Sequence, residues 1–190
     1  MRLVLLGPPG AGKGTQAKRL AERLGVPAIS TGDIFRANIA GGTQLGRLAQ
    51  SYTDAGKLVP DEVTNDMVRA RLAEPDAAHG FLLDGYPRNT GQVDALDDLL
   101  RSSGTSLDAV VELTVDTEEV IGRLLRRAHI EGRPDDTEEV IRHRQDVYAS
   151  ETAPLVELYA GRGLLVRVDG MGDIDEVTGR LLTAIQPSAA

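Results

Sequence analysis

Apolar positions along the chain alternate between short continuous runs and longer amphipathic stretches. Met1–Leu6 (MRLVLL) is almost uninterrupted, as expected of a strand buried on both faces. Gly7–Gly12 is a loop rich in glycine and proline. Lys13–Leu24 has helical spacing, closed by Gly25 at a C′ position and by Pro27 beyond it. Ala28–Ser30 reads as a second strand, and Thr31–Ala40 and Thr43–Ala55 as helices broken at Gly41 and Gly42. Pro60 suits the first turn of a helix running to Ala73. Phe81–Leu83 is a third strand ending at Asp84 and Gly85, and Thr90–Leu100 is helical. Ala109–Val115 is a fourth strand. Asp116 and Glu119 have capping-box spacing and open a helix to Arg127. Ala128–Asp136 is a polar connection, Thr137–Val147 a helix, and a short helix starts at Ala153. Leu164–Val168 is the fifth strand and Ile174–Ile185 the last helix.

Strands alternating with helices of this length predict an α/β three-layer sandwich: a five-stranded parallel sheet with helices on both faces. At 190 residues the chain suits one domain, and no inter-domain linker or repeat interrupts it. Its 41% apolar content is enough for a real core. Cysteine is absent, which removes disulfides, thiolate metal sites and cysteine nucleophiles, and suits a reducing cytoplasm. The apolar run Leu3–Leu6 is too short for a signal peptide or a membrane span.

A net charge of -8 argues against broad binding to nucleic acid or anionic membranes. The charge is uneven: residues 1–60 carry +5 and residues 61–190 carry -13. The cations are 18 arginines and only three lysines, Lys13, Lys18 and Lys57. This asymmetry is consistent with an anionic ligand near the N-terminal part, and equally with a bias toward arginine.

Gly7–Thr15 (GPPGAGKGT) lies between a buried strand and a helix, where a phosphate loop belongs. Glycines let backbone N–H groups point inward and let phosphates approach the chain closely. The helix N-terminus adds partial positive charge, and Lys13 can reach the β- and γ-phosphates. The general pattern ends Gly-Lys-Ser/Thr; here Gly12 and Lys13 are followed by Gly14 and then Thr15.

With that shifted threonine, the segment resembles the nucleoside monophosphate kinase branch of phosphate-loop proteins, the adenylate kinase family most closely. Ser30–Arg36, Ala55–Glu62, Gly80–Arg88 with Gln92, Gly132–Arg144 and Glu151–Leu155 extend the likeness in one order from Met1 to about Gly172. The resemblance implies a helical AMP-binding insertion at residues 30–59 and a short lid at 128–136. The core would be residues 1–29, 60–127 and 137–190. Many bacterial relatives carry a longer lid, sometimes zinc-bound through cysteines. This chain has neither the length nor the thiols, so no structural zinc is expected.

By resemblance, Gly10, Ala11, Gly12, Lys13, Gly14 and Thr15 bind ATP, with Arg127 on its phosphates and Arg123 and Gly172 at its adenine. Arg123 and Arg127 equally suit the C-terminal end of their helix as cations facing its dipole. AMP falls to Thr31, Arg36, the backbone of Lys57, Leu58 and Val59, the stretch Gly85, Tyr86, Pro87 and Arg88, and Gln92. Thr31 by itself also reads as an N-cap, and Arg36 as a solvated charge. Thr31 favours AMP, because relatives that accept pyrimidine monophosphates tend to have a small apolar residue there. Gln92 offers both a donor and an acceptor to the adenine edge, and shares a helix face with Arg88 if the helix has begun by then. Arg133 and Arg144 complete a cage around the transferred group.

Asp84 ends an apolar strand, the arrangement by which phosphate-loop enzymes hold Mg²⁺ or its waters, and Asp33 is a weaker candidate. His79, His129 and His143 are scattered and read as structural or solvated. The reaction expected is MgATP + AMP ⇌ MgADP + ADP. The acceptor is already an anionic oxygen, so cations rather than a general base carry catalysis: Lys13, Arg36, Arg88, Arg127, Arg133 and Arg144. Closure of residues 30–59 and 128–136 is expected to exclude water. A UMP/CMP kinase and a GTP-dependent AMP kinase are the nearest alternatives. A regulatory nucleotide switch would need an Asn-Lys-x-Asp segment, which is missing. The expected partners are nucleotides, with no nucleic acid, no membrane, and a monomeric chain.

Overall fold

The computed structural model describes residues 1–131 and 137–186, without the side chains of residues 117, 118, 127–129 and 131. Among the described residues, β1 (Arg2–Leu6), β2 (Ala28–Ser30), β3 (Phe81–Asp84), β4 (Ala109–Thr114) and β5 (Leu165–Asp169) form one sheet in the order β2-β3-β1-β4-β5. All four pairings are parallel. A parallel sheet needs cover on both faces, and the alternation of side chains supplies two cores. Val4, Leu6, Leu83 and Val110 face one way. They pack on Val68 of α4 (Asp61–Leu72), Val93 and Leu96 of α5 (Thr90–Ser102), and Leu155 and Tyr159 of α8 (Pro154–Gly161). Leu3, Leu5, Leu82 and Val111 face the other way, onto Leu20 of α1 (Lys13–Leu24) and Val177 and Leu181 of α9 (Ile174–Ala184). The predicted three-layer α/β sandwich is therefore the fold. Inside it, buried Gln16 ties α1 to α9: its Nε2 donates to Ile174 O at 3.0 Å, and its Oε1 accepts from Thr178 at 2.7 Å.

Between β2 and β3, α2 (Thr31–Ala40) and α3 (Gln44–Asp54) cross so closely that a Cβ on Gly46 would lie 2.1 Å from Asn38 O. Phe35, Ala49 and Val59 give this region a small apolar cluster of its own. On the opposite side, Val120 and Leu124 of α6 (Thr117–Glu131) pack on Ile141 of α7 (Glu138–Val147). No helix of the described residues is long and apolar enough to cross a membrane.

Several boundaries differ from the sequence reading. Pro60 precedes α4 as its N-cap rather than lying in its first turn. Asp84 belongs to β3 itself. A short 3₁₀ turn, Pro75–Ala77, breaks what reads as plain connection. The helix expected to stop at Arg127 continues to Glu131, so the proposed lid segment 128–136 begins as helix. Apolar periodicity ends with Leu124 and Leu125, but a helix backbone continues as long as its own hydrogen bonds are better than the alternatives. The predicted gap between Val147 and Ala153 is a π-helical turn, Tyr148–Thr152, which runs α7 into α8.

Candidate active site

In doubly wound sheets, ligands sit outside the carboxyl ends of the strands, where successive connections leave to opposite sides. Here β1 leads through α1 to β2, and β3 leads through α5 to β4 on the other side of β1. At these strand ends lies a cavity of about 840 Å³. Gly7, Pro9, Gly10 and Gly12 form one wall. Gly12 is the N-cap of α1, no side chain caps that helix, and its first turn carries no acid. Its N-terminal amides are thus open to an anion. The Lys13 ammonium donates to Gly7 O at 2.7 Å and Pro8 O at 3.0 Å, which keeps it folded over the loop. Gly14 and Thr15 line the cavity as well. Ala11 does not; it is buried in the core between α1 and the sheet.

Gly10 shows why this loop excludes side chains. Its φ of +89° is left-handed, and a Cβ there would lie 2.8 Å from both Val120 and Leu124. Gly10→Val is expected to lose about 3 kcal/mol of stability and to abolish nucleotide binding. Thermal melts and an ATP titration of the variant check both.

Asp84, 8% exposed, projects from the end of β3 toward the loop, with its Oδ2 3.6 Å from the Cβ position of Gly14. No described donor hydrogen-bonds its carboxylate. A buried oxygen anion beside the phosphate wall fits a hard divalent cation held through water. Asp33 behaves differently: it accepts from Arg36 at 2.6 Å. The described residues contain no group of three or more His, Asp or Glu that could cage a metal.

Thr31, Arg36, Gly85, Arg88 and Arg144 face the loop across the same cavity. Thr31 is not the N-cap of α2; Ser30 is, accepting from Asp33 N at 3.3 Å. Buried Thr31 donates instead to Gly85 O at 2.9 Å, and Arg88 Nε donates to the same oxygen at 2.8 Å. Gly85 has φ +79°, and a Cβ there would crowd Thr31 Oγ1 and the Arg88 guanidinium, at 2.9 and 3.0 Å. Burial pushes the Arg88 guanidinium down to about 10; Arg144 and Arg36 repel it further, and Asp84 partly offsets them. It remains charged at neutral pH. Three guanidiniums and one carboxylate are therefore within electrostatic reach of one another.

Lys57, Leu58 and Val59 line the cavity beside Gln92 and Pro87. Tyr86 does not line it: its ring is buried in the core, and its hydroxyl donates to Asn65 Oδ1 at 2.7 Å and Gln92 O at 3.2 Å. Burial, with Asp61 nearby, raises that phenol to about 12. Arg88 and Gln92 do not share a helix face, because α5 starts at Thr90 with Asn89 as its N-cap. They meet directly instead: Arg88 N donates to Gln92 Oε1 at 2.8 Å. Arg123 lines the cavity, paired with Glu119 at 2.6 Å and touching Met171 Sδ at 3.8 Å. Gly172 follows Met171 outside the cavity lining. The Arg127 side chain and all of Arg133 lie outside the described residues.

The adenylate kinase sequence profile matches residues 5–164. The chain belongs to the adenylate kinase family. An adenylate kinase of Nocardioides sp. is 63% identical over 185 residues, 97% of each chain. That of Kocuria rhizophila is 62% identical over 97% of this chain and 98% of its own. That of Thermobifida fusca is 61% identical over the full length of both. Membership makes the chain a phosphotransferase, consistent with a cavity lined by cations rather than by a His–Asp pair.

The structure also adds residues to this adenylate kinase site that the sequence did not single out. Gln145 of α7 donates to Pro9 O at 2.9 Å, and Thr152 of the π turn donates to Arg88 O at 2.7 Å. The helices after residue 137 thus hold both walls of the cavity. Asp61 accepts from Gln92 Nε2 at 2.7 Å and from Asn89 Nδ2 at 3.0 and 3.1 Å. Asp61 and Thr152 fall inside segments that carry the family resemblance, but nothing in the sequence assigns them or Gln145 these contacts. Only Asn89, placed before an amphipathic run, is recognisable as an N-cap.

Proposed function

We propose that the chain catalyses MgATP + AMP ⇌ MgADP + ADP, with ATP on the phosphate-loop side and AMP on the α2–β3 side. The observation that carries this reading is the opposition of two cationic walls across one cavity. Lys13 and the uncapped amides of α1 form one; Arg36, Arg88 and Arg144 form the other. A nucleotide-hydrolysing switch has no use for the second wall.

An AMP phosphate oxygen attacks the γ-phosphorus of ATP, and the bond to the β–γ bridging oxygen breaks. The electron pair leaves on ADP, and no proton needs to move. The chain's own residues do three things. The α1 amides and Lys13 hold the donor phosphates, while Arg88 and Arg36 hold the acceptor phosphate. Arg144, with Arg127 and Arg133 as further members, spans the group in flight. Arg36 must exchange Asp33 for the acceptor phosphate. Asp84 would hold a Mg²⁺ ion through water, and the ion would supply charge neutralisation on the donor phosphates.

We assign residues 30–59 as the segment that closes over AMP and residues 128–136 as a short lid over ATP. Closure excludes water, which would otherwise hydrolyse ATP. The lack of cysteine supports a cytoplasmic location, and the net charge of -8 supports small nucleotides over nucleic acid or membranes as partners of a monomer.

The test is ADP formation from ATP and Mg²⁺ with each nucleoside monophosphate in turn, and with GTP replacing ATP. ADP formation with AMP should be fastest. A faster rate with UMP or CMP, or slow ATP hydrolysis with no acceptor dependence, would overturn the proposal.

A further inference from the structure

We propose that Asp61 is a specificity-determining positioning residue: it locks the Gln92 amide in the one orientation that reads adenine and rejects 6-oxopurines. The inference rests on the acceptor reading above. Gln92 is 1% exposed and lines the cavity, as do Val59 and Arg88. An amide side chain can present its oxygen and nitrogen either way round, and its partners decide which. Here the partners are unambiguous. The Asp61 carboxylate only accepts, and it takes a hydrogen from Gln92 Nε2 at 2.7 Å. The Arg88 backbone N–H only donates, and it gives to Gln92 Oε1 at 2.8 Å. A flipped amide would set oxygen against carboxylate and NH₂ against N–H. Gln92 itself is almost wholly buried, so solvent could relieve little of either clash.

Asp61 is itself fixed. Asn89 Nδ2 donates to both its oxygens at 3.0 and 3.1 Å, while Asn89 Oδ1 accepts from Gln92 N at 2.9 Å. Asp61 is the first residue of α4, outside the segment 30–59 proposed to close. With one N–H and one lone pair used, Gln92 keeps one N–H and one lone pair for a base. Adenine offers the matching pair, an acceptor at N1 or N7 and a donor at N6. Hypoxanthine has nearly the same outline as adenine, but position 6 accepts and N1–H donates. Against a locked amide the position-6 contact is reversed, and on the N1 edge both contacts are.

The experiment compares kcat/KM for AMP and for IMP in the wild-type chain, Asp61→Asn, Asp61→Ala, Gln92→Ala and the Asp61→Asn/Gln92→Ala double variant. An asparagine at 61 can present a donor as readily as an acceptor, so it frees the amide to flip. The AMP/IMP ratio should fall roughly ten-fold or more in Asp61→Asn and Asp61→Ala, through KM rather than kcat. Gln92→Ala alone should collapse the ratio similarly. In the Gln92→Ala background, Asp61→Asn should then change it less than about two-fold, as expected of one shared interaction. Glu62→Gln, on the exposed neighbour, should leave it unchanged. A ratio unmoved in Gln92→Ala, or unmoved in folded Asp61 variants, overturns the proposal. So does an Asp61→Asn effect that persists without Gln92. If the wild-type chain makes no ADP from AMP, the acceptor reading fails first and takes this inference with it.

Discussion

Arg88→Met is expected to lower turnover on the order of 10³-fold or more while leaving the nucleotide-free chain as stable as before, or more so. Arg88 sits where the acceptor phosphate is proposed to bind, and loss of a transition-state arginine has effects of this size. The stability half follows from its environment. Burial, helped by Arg144 and Arg36, lowers its pKa well below that of a free guanidinium, to about 10. For a base, a lowered folded-state value means that the charged form is disfavoured in the folded chain. At neutral pH both folded and unfolded forms carry the charge, so the folded state bears the whole penalty. That penalty is relieved only as pH rises through about 10. Methionine keeps most of the volume and removes the charge. Against this stands the lost bond from Arg88 Nε to Gly85 O. A net gain of about 1 kcal/mol, roughly 2–4 °C in Tm, is expected. Inorganic phosphate should then stabilise the wild-type chain more than the variant, which keeps only the phosphate-loop wall. Thermal melts with and without phosphate, beside an ADP-formation assay, test both halves. Near-normal turnover would remove Arg88 from the site. A lower Tm would make its guanidinium a structural group.

Lys13→Ala is expected to lower turnover on the order of 10³-fold and to leave the fold intact. The Lys13 ammonium bonds to Gly7 O and Pro8 O on the cavity wall and is no part of the apolar core. When a donor nucleotide enters, the same mobile cation can turn to its β- and γ-phosphates. Unchanged circular dichroism with activity lost is the expected result. Wild-type-like kinetics would mean that the α1 amides alone carry the donor phosphates.

The layer architecture was legible because burial on both faces writes itself as apolar runs such as Met1–Leu6 and Phe81–Leu83. Helix starts followed local chemistry: Asn89 and Thr137 cap α5 and α7 with their own side chains. Ends were less legible, since α6 continues past its apolar positions to Glu131. For the site, the phosphate loop was legible because its glycines are contiguous and its backbone does the binding. The network of Asp61, Asn89 and Gln92 was not, because it joins positions 28 and 31 residues apart whose types are common on any helix surface.

By itself the sequence determined the α/β class, the phosphate loop, the cationic character of the site and the family resemblance. Each of these is written in local patterns of spacing and residue type. Tertiary structure decided which atoms meet: Gly85 O shared by Thr31 and Arg88, Asp33 held by Arg36, Tyr86 turned into the core, and Gln92 fixed by Asp61. Such contacts depend on distances between elements far apart in the chain, and hydrogen bonds distinguish partners within a few tenths of an ångström. No local pattern carries that information, because it exists only once the strands have paired and the helices have packed.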